Sequence, residues 1–191
     1  MAEVQQKTAR KPRADAQRNR ARLLDAAREV FSAGGPNASL EAVAKTAGVG
    51  IGTLYRNFPT RESLFQAVYS SDVDELVVLA DRLTQDSPPV EAIRLWLKAS
   101  VRLVATKRGM VTALEPVFDQ SDTFFSDNSA RMQAALKQLM DRAVTEGLIR
   151  DDISAYDLMK AMLGMCYTRD QPGWQDTVPR LLDVFVDGMR V

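Results

Sequence analysis

Three polar side chains, Thr53, Arg56 and Asn57, stand at i, i+3 and i+4 in the segment from Ile51 to Phe58. The apolar residues of the same segment, Ile51, Leu54 and Phe58, recur at i, i+3 and i+7, which is one face of a helix. The polar set is thereby left on the opposite side. A short exposed helix edged with a hydroxyl, a guanidinium and an amide can hydrogen-bond base edges and phosphates, and it fits the major groove of B-form DNA. The residues that open it, Gly50-Ile51-Gly52, present free backbone N–H groups at the positive end of the helix dipole, which suits a phosphate.

Other chemistries have few residues to use. Among 191 residues there is no histidine and a single cysteine, Cys166. Ser-His-Asp and Cys-His nucleophiles are excluded, as are His-x-Glu deaminase sites, an intrachain disulfide and a Cys-rich zinc site. No metal and no cofactor is called for, and Cys166 reads as a small core hydrophobe. Composition alone leaves a carboxylate or lysine enzyme open. The balance of 25 basic and 25 acidic residues hides an asymmetry. Residues 1–62 hold 11 Lys/Arg and 6 Asp/Glu, a surplus of +5, and residues 63–191 hold 14 and 19, a deficit of −5. A basic end on a neutral chain points to a polyanion, although basic tails also serve only to solubilise.

The elements that must position the polar helix are legible nearby. Residues 1–16 lack apolar periodicity and read as a mobile basic arm. A helix is expected from Gln17, with Leu24, Ala27 and Phe31 inward, until Gly34-Gly35-Pro36 stops it. Ser39 is placed to N-cap a short second helix bearing Leu40, Val43, Ala44 and Ala47. Gly48 suits the left-handed residue that ends it, and the small Ala44 and Ala47 allow close approach across the turn. This is a helix-turn-helix arrangement. Pro59-Thr60 ends the third helix and caps a fourth over about 61–83. Further helices are expected at 89–105, 109–118, 129–147, 154–168 and 175–189. No window alternates as a strand does, so the fold class is all-α, with about nine helices. No apolar run approaches the roughly 20 residues of a membrane span, and no export signal is seen, so the chain reads as cytoplasmic.

The stretch from Arg22 to Leu64 resembles the DNA-binding domain of the TetR family of bacterial transcriptional regulators. The likeness lies in Arg22-Leu-Leu-x-Ala-Ala-x-x-Val-Phe31, in Ala44-x-x-Ala-Gly-Val-Gly-x-Gly-Thr-Leu-Tyr-x-Asn-Phe58 and in Pro59-Thr-Arg-Glu-Ser-Leu64. The resemblance implies a homodimer that binds a pseudo-palindromic operator through the second and third helices. It implies phosphate contacts by Ser39 and Tyr55, a phosphate or base contact by Thr53, and a phosphate contact by Arg61 where the family usually has lysine. Arg56 falls at a variable position and is the candidate base reader, since arginine bonds guanine bidentately. Gly50 stands where a Ser or Thr is usual and Asn57 where a His or Tyr is common. Arg10, Lys11 and Arg13 either enter the adjacent minor groove or add only non-specific affinity.

The division expected is a basic arm over 1–16, a DNA-binding domain over 17–60, and a ligand-binding and dimerisation domain over 61–191. In the last, helix 89–105 has a narrow polar stripe of Glu91, Arg94, Lys98 and Arg102, and the run Ala161–Tyr167 carries no charge. Surfaces so apolar call for a partner subunit, an interior cavity, or both. An isologous dimer is expected through Leu163, Gly164, Tyr167, Val178, Leu181, Leu182, Phe185 and Met189, as the resemblance also implies. The resemblance further implies a cavity for a small-molecule effector. Trp96, Met110, Phe118, Phe124, Phe125, Met132, Met159 and Met162 supply soft and aromatic surface for it, and Arg94 or Arg169 could hold an anionic group. The same residue types at helical spacing serve equally well as plain core. Trp174 closes either the cavity or the dimer edge. The function expected is a ligand-responsive repressor. Its rivals are an activator or constitutive DNA binder and, from another class, a small helical carrier or enzyme.

Overall fold

In the computed structural model, which describes residues 11–34, 38–114, 123–167 and 173–191, the apolar periodicity resolves into eight α-helices. They are α1 (Lys11–Gly34), α2 (Leu40–Ala47), α3 (Ile51–Asn57), α4 (Arg61–Asp86), α5 (Pro89–Leu114), α6 (Thr123–Thr145), α7 (Ala155–Tyr167) and α8 (Trp174–Asp187). Among the described residues the only strand-like pairing is one isolated bridge, Ile149 with Arg190. There Arg150 N–H donates to the Met189 carbonyl at 2.9 Å and ties the C-terminus to the turn after α6.

Helix boundaries differ from the sequence reading most at α1, at α5 and at α6, which begins at Thr123 against an expected start at 129. Helix α1 begins at Lys11, so Lys11 and Arg13 lie on a helix and not on an arm. Pro12 permits this because the first turn of a helix needs no N–H from it. Helix α5 runs unbroken through the break expected between 105 and 109. The segment Thr106-Lys107-Arg108-Gly109 contains no proline, and one interior glycine costs a helix only about 1 kcal/mol.

Helix α4 organises the rest. Its 26 residues span about 39 Å. The N-terminal half gives Leu64, Phe65 and Val68 to a core shared with Leu23, Ala27 and Phe31 of α1, Val43 and Ala47 of α2, and Leu54 of α3. The C-terminal half gives Val73, Leu76, Ala80 and Leu83 to a second core with α5 to α8. One rigid rod thus takes part in both cores. Where they meet, Phe65, Tyr69, Phe124 and Phe125 pack as an aromatic cluster with ring centroids 5.3–6.2 Å apart. Trp96 is wholly buried in the second core and donates its indole N–H to the Leu76 carbonyl at 2.9 Å.

Candidate nucleic-acid interface

The two helices around the tight turn are held by local chemistry. Ser39 Oγ accepts from the Ala42 N–H at 3.1 Å and caps α2. Gly48 follows at φ 64°, and its N–H reaches back to the carbonyls of Ala44 and Lys45. The left-handed φ requires glycine there, and a β-carbon would stand 2.7 Å from Arg22 Nη2 and displace the end of that side chain. Leu54 is fully buried and Phe58 nearly so, which fixes the rotation of α3. Ile51, expected to be buried as well, is exposed, because the first turn of α3 projects beyond the core.

That rotation turns Gly50, Gly52, Tyr55 and Arg56 to solvent and leaves Thr53 and Asn57 half-buried. Arg56 Nη2 donates to Thr53 Oγ1 at 3.0 Å, and Asn57 Nδ2 donates to the Thr53 carbonyl at 2.8 Å. The first bond orients the guanidinium along the helix edge while the rest of its donor fork faces outward. Ser39 is also exposed, at the N-terminus of α2. The structure therefore gathers Ser39, Gly50, Thr53, Tyr55, Arg56 and Asn57 on α2, α3 and the turn between them. Arg61 departs from this surface. Its guanidinium lies over the Phe31 ring, 5.4 Å from the centroid, and Nη1 donates to the Ala38 carbonyl at 2.6 Å. Arg10 lies outside the described residues, as do the side chains of Lys11 and Arg13.

A polar network absent from the sequence reading ties α1 to α4. Arg28 donates to Asp72 at 2.5 Å, Ser71 at 2.9 Å and Glu75 at 2.6 Å on α4, and to Asp25 at 2.8 Å on its own helix. Burial works to lower the Arg28 pKa, but the hydrogen bond to Asp72 and the three carboxylate charges outweigh it and hold the value above the ordinary one. Burial pushes the Asp72 carboxyl above the usual aspartate range, and Arg28 opposes this only in part. The three partners on α4 lie more than 40 positions from Arg28 in the chain, so no local spacing announces them.

The residues expected to line an effector cavity are placed mostly in packed core. Trp96, Met132, Met159 and Met162 are buried, and Phe125 sits half-buried in the aromatic cluster. Arg94 is held by α8: Nη1 donates to the Asp183 carbonyl at 2.9 Å, and Nη2 pairs with Asp187. Lys98 joins at 3.0 Å from Asp183. The polar stripe of α5 thus faces the acidic stripe of α8. Their matching spacing is the signal from which the pairing could have been read. Phe118 lies outside the described residues, as does the Met110 side chain. One groove of about 690 Å³ opens between α1, α4 and α5, beside Arg28, Leu79, Arg82 and Leu103, and a second of about 490 Å³ lies between α6 and α7. Neither is lined by Trp96, Phe125, Met132, Met159 or Met162.

The expected interface residues divide in two. Val178, Leu182 and Met189 pack into the chain's own core. Leu181 is 47% exposed, Gly164 is also exposed, and Leu163 and Phe185 are half-buried. Val184, at 70% exposed, extends the same outer face of α8. The Tyr167 side chain lies outside the described residues. No described helix is long and apolar enough to cross a membrane. Among the described residues no cluster of His, Cys, Asp and Glu could hold a metal ion.

Residues 88–191 match the family model of the SbtR-like transcriptional regulator C-terminal domain, and residues 23–68 match that of bacterial regulatory proteins of the tetR family. The crystal structure of a TetR transcriptional regulator from Streptomyces coelicolor is 41% identical with a TM-score of 0.80, over 90% of this chain and 98% of that one. A TetR transcription regulatory protein from Mycobacterium vanbaalenii is 34% identical with a TM-score of 0.75, over 94% and 99%. The HTH-type transcriptional regulator UidR of Escherichia coli K12 is 38% identical over 80 residues, 41% of this chain and 38% of that protein. The match thus spans about two fifths of the length of these curated relatives. With the helix-turn-helix surface built as described and both its own segment and the C-terminal helices matched, the chain belongs to the TetR family of transcriptional regulators, which are DNA-binding proteins and not enzymes.

Proposed function

We propose that the protein is a homodimeric repressor that binds a pseudo-palindromic operator and is released when a small molecule binds the helical body formed by α4 to α8. The observation that carries the DNA-reading part is the outward edge of α3, where Arg56 is oriented by Thr53 while Leu54 anchors the helix. Arg56 reads a guanine, Thr53 touches base or phosphate, and Ser39, Tyr55 and the α3 N-terminus at Gly50 engage phosphates, with Asn57 at the flank. Helices α1 to α3 are the DNA-binding domain, and α4 to α8 carry ligand binding and dimerisation. The exposed face of Leu181, Val184 and Gly164 supports pairing through α7 and α8. Two reader helices then meet successive major grooves about 34–36 Å apart.

The switch follows from α4, which has one half in each core. A ligand that tilts it in the body moves the reader helices out of register, at a typical coupling of about 1–3 kcal/mol. The test starts with a duplex selected by the wild-type protein from a random-sequence pool. Arg56→Ala is expected to lose about 1–3 kcal/mol of discrimination between that duplex and a scrambled one. Equal wild-type affinity for the two would refute specific reading. A small-molecule library screened for thermal stabilisation supplies effector candidates. If no stabilising compound alters duplex affinity, the ligand-responsive part is lost.

A further inference from the structure

Arg61 opens α4 at a position where an outward cation would meet DNA, yet its guanidinium points into the fold. It lies over the ring of Phe31 of α1 and donates at 2.6 Å to the carbonyl of Ala38. Ala38 is buried and immediately precedes Ser39, the cap of α2. A second guanidinium nitrogen, Nη2, is shielded from solvent and has no hydrogen-bond partner among the described residues. Leaving a charged donor buried and unpaired is costly, so the inward pose must be held by what the other atoms gain. Those gains are a charge-assisted bond to a carbonyl and a cation–π contact, which a planar guanidinium makes together and an ammonium does not.

The base of the side chain is equally constrained. Thr60 and Ser63 form a reciprocal capping box at the start of α4, with both bonds at 3.1 Å, and Leu64 is fully buried. The backbone from which Arg61 extends is therefore fixed, and its guanidinium is held by the Ala38 carbonyl and the Phe31 ring. We propose that Arg61 is a positioning residue, a strut that fixes the N-terminus of α2 relative to α4, and that it acts on DNA affinity through Ser39 and not by touching phosphate. This rests on the reading that α2 and α3 bind DNA, and it adds that Arg61 links the start of α4 to the start of α2.

The two roles differ in what salt does to binding. A phosphate contact contributes to the slope of log affinity against log salt by about one per contact, whereas a strut contributes nothing to it. Binding to the selected duplex would be measured over a salt series for wild type, Arg61→Met, Arg61→Lys, Ser39→Ala and the double variant S39A/R61M, with thermal melting as the folding check. Both substitutions of Arg61 are expected to weaken binding about ten-fold with an unchanged slope. Ser39→Ala should cost clearly less in the Arg61→Met background than in wild type, because the cap is already displaced. Arg61→Lys binding as wild type while Arg61→Met lowers the slope by about one per protomer would overturn the proposal. Fully multiplicative effects of S39A and R61M would overturn it too. If Arg61→Met fails to fold, the affinity of Arg61→Lys decides, with wild-type affinity counting against the strut. A wild-type protein that selects no duplex would instead refute the DNA-binding reading, and this proposal with it.

Discussion

Replacing Arg28 by Met keeps an unbranched apolar stem and a similar helix propensity while removing every charge-assisted bond the side chain makes from α1 to the middle of α4. The partners differ in weight. Asp25 and Glu75 are 72% and 67% exposed at their side chains, so each pair is worth well under about 1 kcal/mol. Asp72 is only 13% exposed, and losing Arg28 strands a carboxylate that burial already disfavours. Breaking a fully buried pair costs about 3–5 kcal/mol; the residual exposure here reduces that to about 2 kcal/mol. The Ser71 bond adds about 0.5–1 kcal/mol. A loss of about 2–3 kcal/mol is therefore expected at neutral pH.

The pH dependence gives a second, independent signature. Asp72 titrates in the folded state above its unfolded value, so its ionised form counts against folding once pH rises through that raised value. Without Arg28 the folded value rises further. The deficit of Arg28→Met should therefore shrink as pH falls and Asp72 takes up its proton. Urea unfolding at fixed protein concentration, compared by midpoint at constant m, measures both effects. Asp72→Asn in the Arg28→Met background should restore part of the loss, about 1 kcal/mol or more. A deficit below about 0.5 kcal/mol, or identical midpoints for Arg28→Met with and without Asp72→Asn, would refute the reasoning.

Three other outcomes are expected. Gly48→Ala must hold a β-carbon at φ 64° and displace Arg22, so it should lose about 1–2 kcal/mol and melt about 3–6 °C lower; an unchanged melting temperature would contradict the turn geometry. Val184→Asp places a charge on the exposed face of α8 and should yield a folded monomer in sedimentation, whereas a persistent dimer would move the interface elsewhere. For Asp183, burial acts to raise the carboxyl pKa but Lys98 and Arg94 outweigh it and hold the group below the usual aspartate range. Its contribution is thus present above the unfolded pKa and disappears as pH falls through the folded one. Asp183→Asn should lower the melting temperature at neutral pH by the equivalent of about 1 kcal/mol or less, and wild type and variant should converge in acid. A gap that widens in acid would reverse the sign of this argument.

Much of the reader was legible because its determinants are local. The Ser39 cap, the left-handed Gly48 and the Thr60 cap each depend on residues within a few positions, and each appears where the sequence places it. Of the set that periodicity turns outward on α3, Arg56 is exposed while Thr53 and Asn57 are half-buried, and Ile51, expected inward, is exposed. The body was less legible. Its helices carry apolar residues around most of their circumference, so the period identifies a helix without saying which stripe meets the same chain. On α8, Val178 and Leu182 turn inward while Leu181 and Val184, one register away, face out. The break expected within α5 failed because a lone glycine is a weak helix stop.

By itself the sequence determined an all-helical chain, a basic N-terminal end, the positions where the reader helices start and stop, and the edge of α3 that faces outward. These depend on φ preferences, caps and a repeat of 3.6 residues, all of which act over a turn or two. Only the tertiary structure decided that Arg28 reaches across to Asp72 and that Arg61 lies inward over Phe31. A long cationic side chain can face water, a phosphate or a carboxylate at the same sequence position. Which one it meets depends on how distant helices cross, and no local spacing records that angle.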